Sequence, residues 1–146
     1  MNRKIKFRVW DKICKEMIIP LAIYHNEKLE NPDFIVIDDD YHEKDFIFQS
    51  YHLFLEKDAI LMQFTGLLDK NGKEIYEGDI VNFYDSIKGY VKGEIVFEAG
   101  AFIIGCNKLN DSYSILLEES DEERECETVE VIGNKFENPE LLEQSK

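Results

Sequence analysis

Glycine is missing from the first 65 residues of the chain: all eight glycines lie between Gly66 and Gly133. The early part therefore has no residue that takes φ > 0 without cost, while the later part is cut into short pieces. No Ser/Gly/Pro linker marks the change, so two beads on a string are not expected. The soft boundary near residue 60 separates a first β subdomain, 1–59, from a second, 60–146, and the two are expected to share a core. Cysteine is scarce as well. Cys14, Cys106 and Cys126 are odd in number and form no C-x-x-C pair. A disulfide framework is not expected and a reducing cytoplasm is. Long apolar runs are absent: the longest, residues 17–24, contains Pro20 and is too short to span a bilayer. The opening Met-Asn-Arg-Lys-Ile carries charge where a signal peptide would place its apolar core, so neither secretion nor membrane insertion is expected. Positive charge is also in short supply. Seventeen Lys and Arg face 31 Asp and Glu, a net −14, which sets the chain against general binding to nucleic acid phosphate or anionic membrane.

What is present is a packed, mainly β domain. Leu, Ile, Val and Phe make up 46 of 146 residues, well above the roughly 20% that marks disordered chains. Ile, Val, Phe, Tyr and Trp outnumber Ala, Leu and Met by 42 to 19, and the larger group favours strands. In residues 4–10, Ile5, Phe7 and Val9 alternate with Lys4, Lys6, Arg8 and Trp10, the period of a half-buried strand. Residues 11–15 turn it into Met17-Ile18-Ile19. Residues 34–37 read as a buried strand, 38–45 as an acidic loop, and 46–55 as strand in preference to helix. Later strands are read at 60–65, 78–83, 91–97, 101–104 and 127–132. Asn71-Gly72 and Glu98-Ala99-Gly100 supply turns. Asn138-Pro139-Glu140 opens a short terminal helix through Leu142. The rhythm Gly78-Asp79-Ile80-Val81 then Gly93-Glu94-Ile95-Val96 suggests a small SH3-like barrel in the second part.

Three stretches carry a resemblance. They are Ile5-Lys6-Phe7-Arg8-Val9-Trp10-Asp11; Met62-Gln63-Phe64-Thr65-Gly66-Leu67 with the block from Asp69 to Val81; and Val131-Ile132-Gly133-Asn134 with Glu137-Asn138-Pro139-Glu140-Leu141. Together they resemble the YopX family of phage and prophage proteins over nearly the whole chain. Val9 stands where that family suggests alanine and Phe64 where it suggests tyrosine. The resemblance implies a phage-derived cytoplasmic protein of mostly β structure. It implies no established enzymatic activity, so no catalytic residue is carried over.

The residues themselves add no reactive constellation. Residues 69–78 fail as an EF-hand loop in both possible registers. His25, His42 and His52 lie in no metal-binding spacing, and the acids at 38–40, 43 and 45 read as a solvated loop. No metal or other cofactor is expected. Residues 1–20 nevertheless carry +4 and residues 118–146 carry −8. On a strand, Lys4, Lys6, Arg8 and Trp10 share one face, either as a row for a nucleic acid backbone or, preferably, as partners for acids on a neighbouring strand or subunit. Two functions follow. The favoured one is a non-enzymatic accessory protein that binds another protein, with self-association as a further option, through Lys4, Lys6, Arg8, Trp10, Tyr76 and Tyr84. The alternative is a nucleic acid role, by direct binding or by acidic mimicry of DNA.

Overall fold

The computed structural model describes residues 4–20, 22–24, 34–38, 42–43, 46–47, 50–54, 58–108, 111–116, 125–126 and 128–143. It divides into two compact units, residues 7–62 and residues 1–6 with 63–146. The expected division after residue 59 falls at the start of the strand Ala59–Asp69, which runs on into the second unit. The protein is mainly β, with two principal sheets, one of them a curled half-barrel, and one short C-terminal helix.

In the unit 7–62, β1 (Phe7–Asp11) pairs antiparallel with β2 (Glu16–Ile18), setting Val9 opposite Ile18. The turn between them is closed by Asp11, whose Oδ1 accepts from the amides of Ile13 and Cys14 at 2.7 and 3.0 Å. Val9, Ile18 and Ala59 form the buried cluster here. A second sheet is built from β3 (Ala22–Tyr24), β4 (Phe34–Asp38) and β7 (Ser50–Phe54) in the order β3-β4-β7. The stretch read as an acidic loop contains the short strand β5 (His42–Glu43), paired with β6 (Phe46–Ile47). Within the stretch 46–55 the described residues, 46–47 and 50–54, are strand, as read, and belong to β6 and β7.

The larger unit is organised by alternation. After β8 (Ala59–Asp69) and β9 (Glu74–Tyr76), the strands β10 (Asp79–Asp85), β11 (Gly89–Glu98), β12 (Ala101–Lys108) and β13 (Asp111–Leu116) follow, then β14 (Glu125–Cys126) and β15 (Val129–Asn134). One antiparallel sheet has the order β13-β12-β11-β10-β15. Every second residue enters its core: Val81 and Phe83 from β10, Val91 and Ile95 from β11, Ile104 and Cys106 from β12, Val129 and Val131 from β15, with Ile75. Gly93 sits in this inward series without a side chain because none would fit. A Cβ there would lie 2.4 Å from Ile104 Cγ2. Among the described pairings the two end strands, β13 and β15, do not meet, so this sheet is left short of the closed SH3-like barrel suggested by its glycine rhythm. The helix α1 (Glu140–Glu143) is a single turn.

Two buried carboxylates fasten this unit. Asp69 is 1% exposed and accepts three backbone amides: Asn71 and Lys73 on Oδ1 at 2.8 and 2.9 Å, and Val131 on Oδ2 at 2.9 Å. It thus closes its own turn and ties that turn to β15, 62 residues away. Burial pushes its carboxyl up, but the amides of Val131, Lys73 and Asn71 outweigh that and hold it below the ordinary value. Asp79, also 1% exposed, accepts from the amide of Tyr76 at 2.8 Å. Asn134 in turn caps the bend after β15, its Oδ1 accepting from Phe136 and Glu137 at 3.0 and 2.9 Å.

Candidate interaction surface

The six residues singled out from sequence are not presented together. Lys4 is exposed. Lys6 is ion-paired with Glu74, and its ammonium lies 5.5 Å from the centre of the Phe64 ring. The same carboxylate accepts the Tyr76 hydroxyl at 2.8 Å, and the Tyr76 ring sits 5.4 Å from Phe64. Burial pushes the Glu74 carboxyl up, and hydrogen bonds from Lys6 and Tyr76 outweigh this to hold it below the usual range. Tyr76 is 7% exposed, and Arg8 and Trp10 are each 8% exposed. Lys6 thus does meet an acid on a nearby strand, while Arg8 and Trp10 are withdrawn from any surface row.

Tyr84 is placed differently. It stands opposite Tyr90 in the β10–β11 register, with the rings edge to face at 5.4 Å and 72°. Tyr84 is 55% exposed, Tyr90 73%, and Ile87, at the turn between them, 90%. The turn is held from within: Asp85 Oδ1 accepts from the amides of Ile87 and Lys88 at 2.8 and 2.9 Å, and Gly89 closes it at φ +75°. The Lys88 and Ile87 amides keep the Asp85 carboxyl below its ordinary value, so the turn keeps its anion well into mild acid. The result is a braced hairpin tip carrying two aromatic rings and one aliphatic side chain in water. Sequence reasoning chose Tyr84 alone. The signal for Tyr90 was the near symmetry of Tyr84-Asp85 and Gly89-Tyr90 about the turn, which puts both tyrosines on one face.

At the other end of β11, Phe97 is 53% exposed and its ring lies 5.0 Å from that of Phe102. The turn there, Ala99-Gly100, has φ +51° and +87°. In the smaller unit, Asp11, Cys14 and Glu16 bring one candidate ligand atom each within 4.8 Å. Asp11 is already engaged by the turn amides, and its hydrogen bond raises the Cys14 thiol, which favours the protonated form over a metal-binding thiolate. The histidines and the acids at 38–40, 43 and 45 lie outside the described side chains.

The family described as YopX protein matches residues 6–143. The chain belongs to the YopX family. Its fold is similar to the crystal structure of protein EF1440 from Enterococcus faecalis, at 27% identity and a TM-score of 0.56, covering 97% of this chain and 99% of that one. It is also similar to the crystal structure of protein yopX from Bacillus subtilis, at 24% identity and a TM-score of 0.58, covering 94% and 97%. No curated protein matches it. In this YopX chain the central residues that carry the family resemblance, Asp69 to Asp79, close turns and fasten strands. The exposed tip lies outside that block, between Tyr84 and Tyr90.

Proposed function

We propose that this YopX protein is a phage-derived accessory protein of the bacterial cytoplasm that acts by binding another protein and not by chemistry of its own. One observation carries the reading: Tyr84, Ile87 and Tyr90 stand in solvent on a turn that Asp85 has already ordered. Rigid aromatic anchors give contact area at low entropic cost, and a preformed turn avoids the ordering penalty of association. Under this reading the finer form of the fold is SH3-like but open between β13 and β15, with the sheet β13-β12-β11-β10-β15 as platform and the β10–β11 hairpin as its projecting loop. Direct nucleic acid binding through the first strand is less well supported, since Arg8 and Trp10 are buried and Lys6 faces Glu74.

The test is affinity capture from host extract with the wild-type protein and with the double variant Tyr84→Ala/Tyr90→Ala. A stoichiometric partner retained by the wild type and lost by the variant, at unchanged circular dichroism, is the expected result. Capture that is indifferent to both tyrosines counts against the tip. Recovery of a DNA-binding protein that duplex DNA displaces would instead favour acidic mimicry.

A further inference from the structure

We infer that the partner segment recognised by the β10–β11 tip is a short stretch of polypeptide in which an apolar or aromatic side chain is flanked by carboxylates. This rests on the reading of the tip as a docking site, and three observations carry it further. The first is charge. In a chain of net −14, residues 84–92 carry Asp85 against Lys88 and Lys92, a net +1. Asp85 Oδ1 is turned onto the backbone amides of its own turn. Lys92 lies two residues beyond Tyr90, so alternation puts it on the same face of β11, opposite Asn82. A carboxylate-flanked segment meets attraction at this tip and repulsion from the acidic chain as a whole, which sets where it binds.

The second is area. Three side chains exposed to 55, 90 and 73% offer on the order of 400–500 Å². A stable interface needs about 800 Å² from each partner. A bare tip-to-tip dimer falls short, and it brings two chains of −14 together. A short linear segment, laid against the edge-to-face ring pair with its apolar residue beside Ile87, matches the smaller area of a weak, transient contact, below about 1,200 Å² in total. The third is composition. Two tyrosines, one serine and one glycine within residues 84–90 match the mixture that binding loops of antibodies use, with aromatic rings for contact and small polar residues for adaptable hydrogen bonds.

The experiment pans a displayed random-peptide library against the whole protein, at low and at physiological ionic strength, with Ile87→Asp and Lys88→Glu/Lys92→Glu in parallel. Enrichment of peptides with an aromatic or aliphatic residue between Asp or Glu is expected. Their affinity should fall at least tenfold in Ile87→Asp and several-fold in the lysine variant, and should weaken as salt rises. Peptides that depend on Ile87 but show no acidic bias, or a basic one, overturn the inference while the docking reading stands. If no enriched peptide depends on Ile87, both fall. Two further outcomes overturn it by naming another occupant. One is a dimer in sedimentation that Ile87→Asp abolishes; the other is Ile87-dependent flotation with phosphatidylcholine and phosphatidylglycerol vesicles. Ile87 is 90% exposed on a turn, so its replacement leaves the fold intact.

Discussion

Replacing Asp69 by asparagine changes one oxygen into an amino group at the most heavily used buried acceptor described in the larger unit. The remaining carbonyl oxygen can still accept from Asn71 and Lys73, but an N–H then faces the N–H of Val131, where Oδ2 now accepts at 2.9 Å. A hydrogen bond to a charged acceptor is worth about 1.5–3 kcal/mol, and a buried donor left unmatched costs about 1–3 kcal/mol. The expected loss is therefore about 2.5–6 kcal/mol, a large share of the roughly 5–15 kcal/mol that holds a domain together. Urea unfolding followed by far-UV circular dichroism, with amide exchange at Val131 marking the transition that belongs to this unit, measures it. Acid provides the control. The Asp69 carboxyl titrates lower in the folded chain than in the unfolded one. The unfolded chain thus takes up its proton first, and stability from this group is complete above about pH 4 and is lost as pH falls through the folded-state value. Asp69→Asn should flatten that acid limb. A loss below about 1 kcal/mol, or stability curves for variant and wild type that run parallel between neutral and acid pH, would refute the assignment of Asp69 as the fastener.

Ala99 holds φ +51° in a two-residue hairpin turn ahead of Gly100, a position that Asn or Gly fills at lower cost. Ala99→Asn is expected to raise stability by about 0.5–1 kcal/mol, read as a higher urea midpoint at unchanged slope. Gly93→Ala puts a methyl 2.4 Å from Ile104 Cγ2 and should cost about 1–3 kcal/mol; an unchanged midpoint would show that the strands move apart freely. The Cys14 thiol, raised chiefly by its hydrogen bond to Asp11, should react with a maleimide more slowly than a free cysteine near pH 8, and faster in Asp11→Asn. Peptide mass mapping of the labelled site reads both rates. Equal rates would mean that Asp11 does not hold the thiol proton.

Much of the fold could be read because its core is strictly alternating. Val81, Phe83, Val91, Ile95, Val129 and Val131 each announce an inward face with polar or smaller neighbours between them. What escaped reading has a physical reason in each case. Strand β13 begins Asp-Ser-Tyr-Ser, with no apolar alternation, and is extended because β12 offers it a ladder. Alternation also placed Arg8 and Trp10 on the polar face of β1. The periodicity separates two faces but does not say that both are covered, and β1 lies between β8 and β2 in its sheet. Residues 69–78 could be read as a turn, because their spacing fits no EF-hand register, but nothing in the pattern shows that Asp69 and Asp79 spend their carboxylates on backbone amides. The candidate surface was half legible: Tyr84 was chosen, but the tip needs the cross-strand register to bring Tyr90 beside it.

The division of the chain sets an order of events during synthesis. Residues 7–62 are contiguous, whereas the other unit takes its first six residues from one side of them and the rest from the other. Lys6 leaves the ribosome long before its partner Glu74, which is 68 residues further on, and Asp69 waits 62 residues for Val131. At about 5–20 residues per second, each clasp stays open for roughly 3–14 s. Residues 1–6 are made before the unit 7–62 yet settle only after it has been made, and a message truncated between Asp69 and β15 yields a chain whose buried Asp69 carboxylate has no Val131 amide to hold.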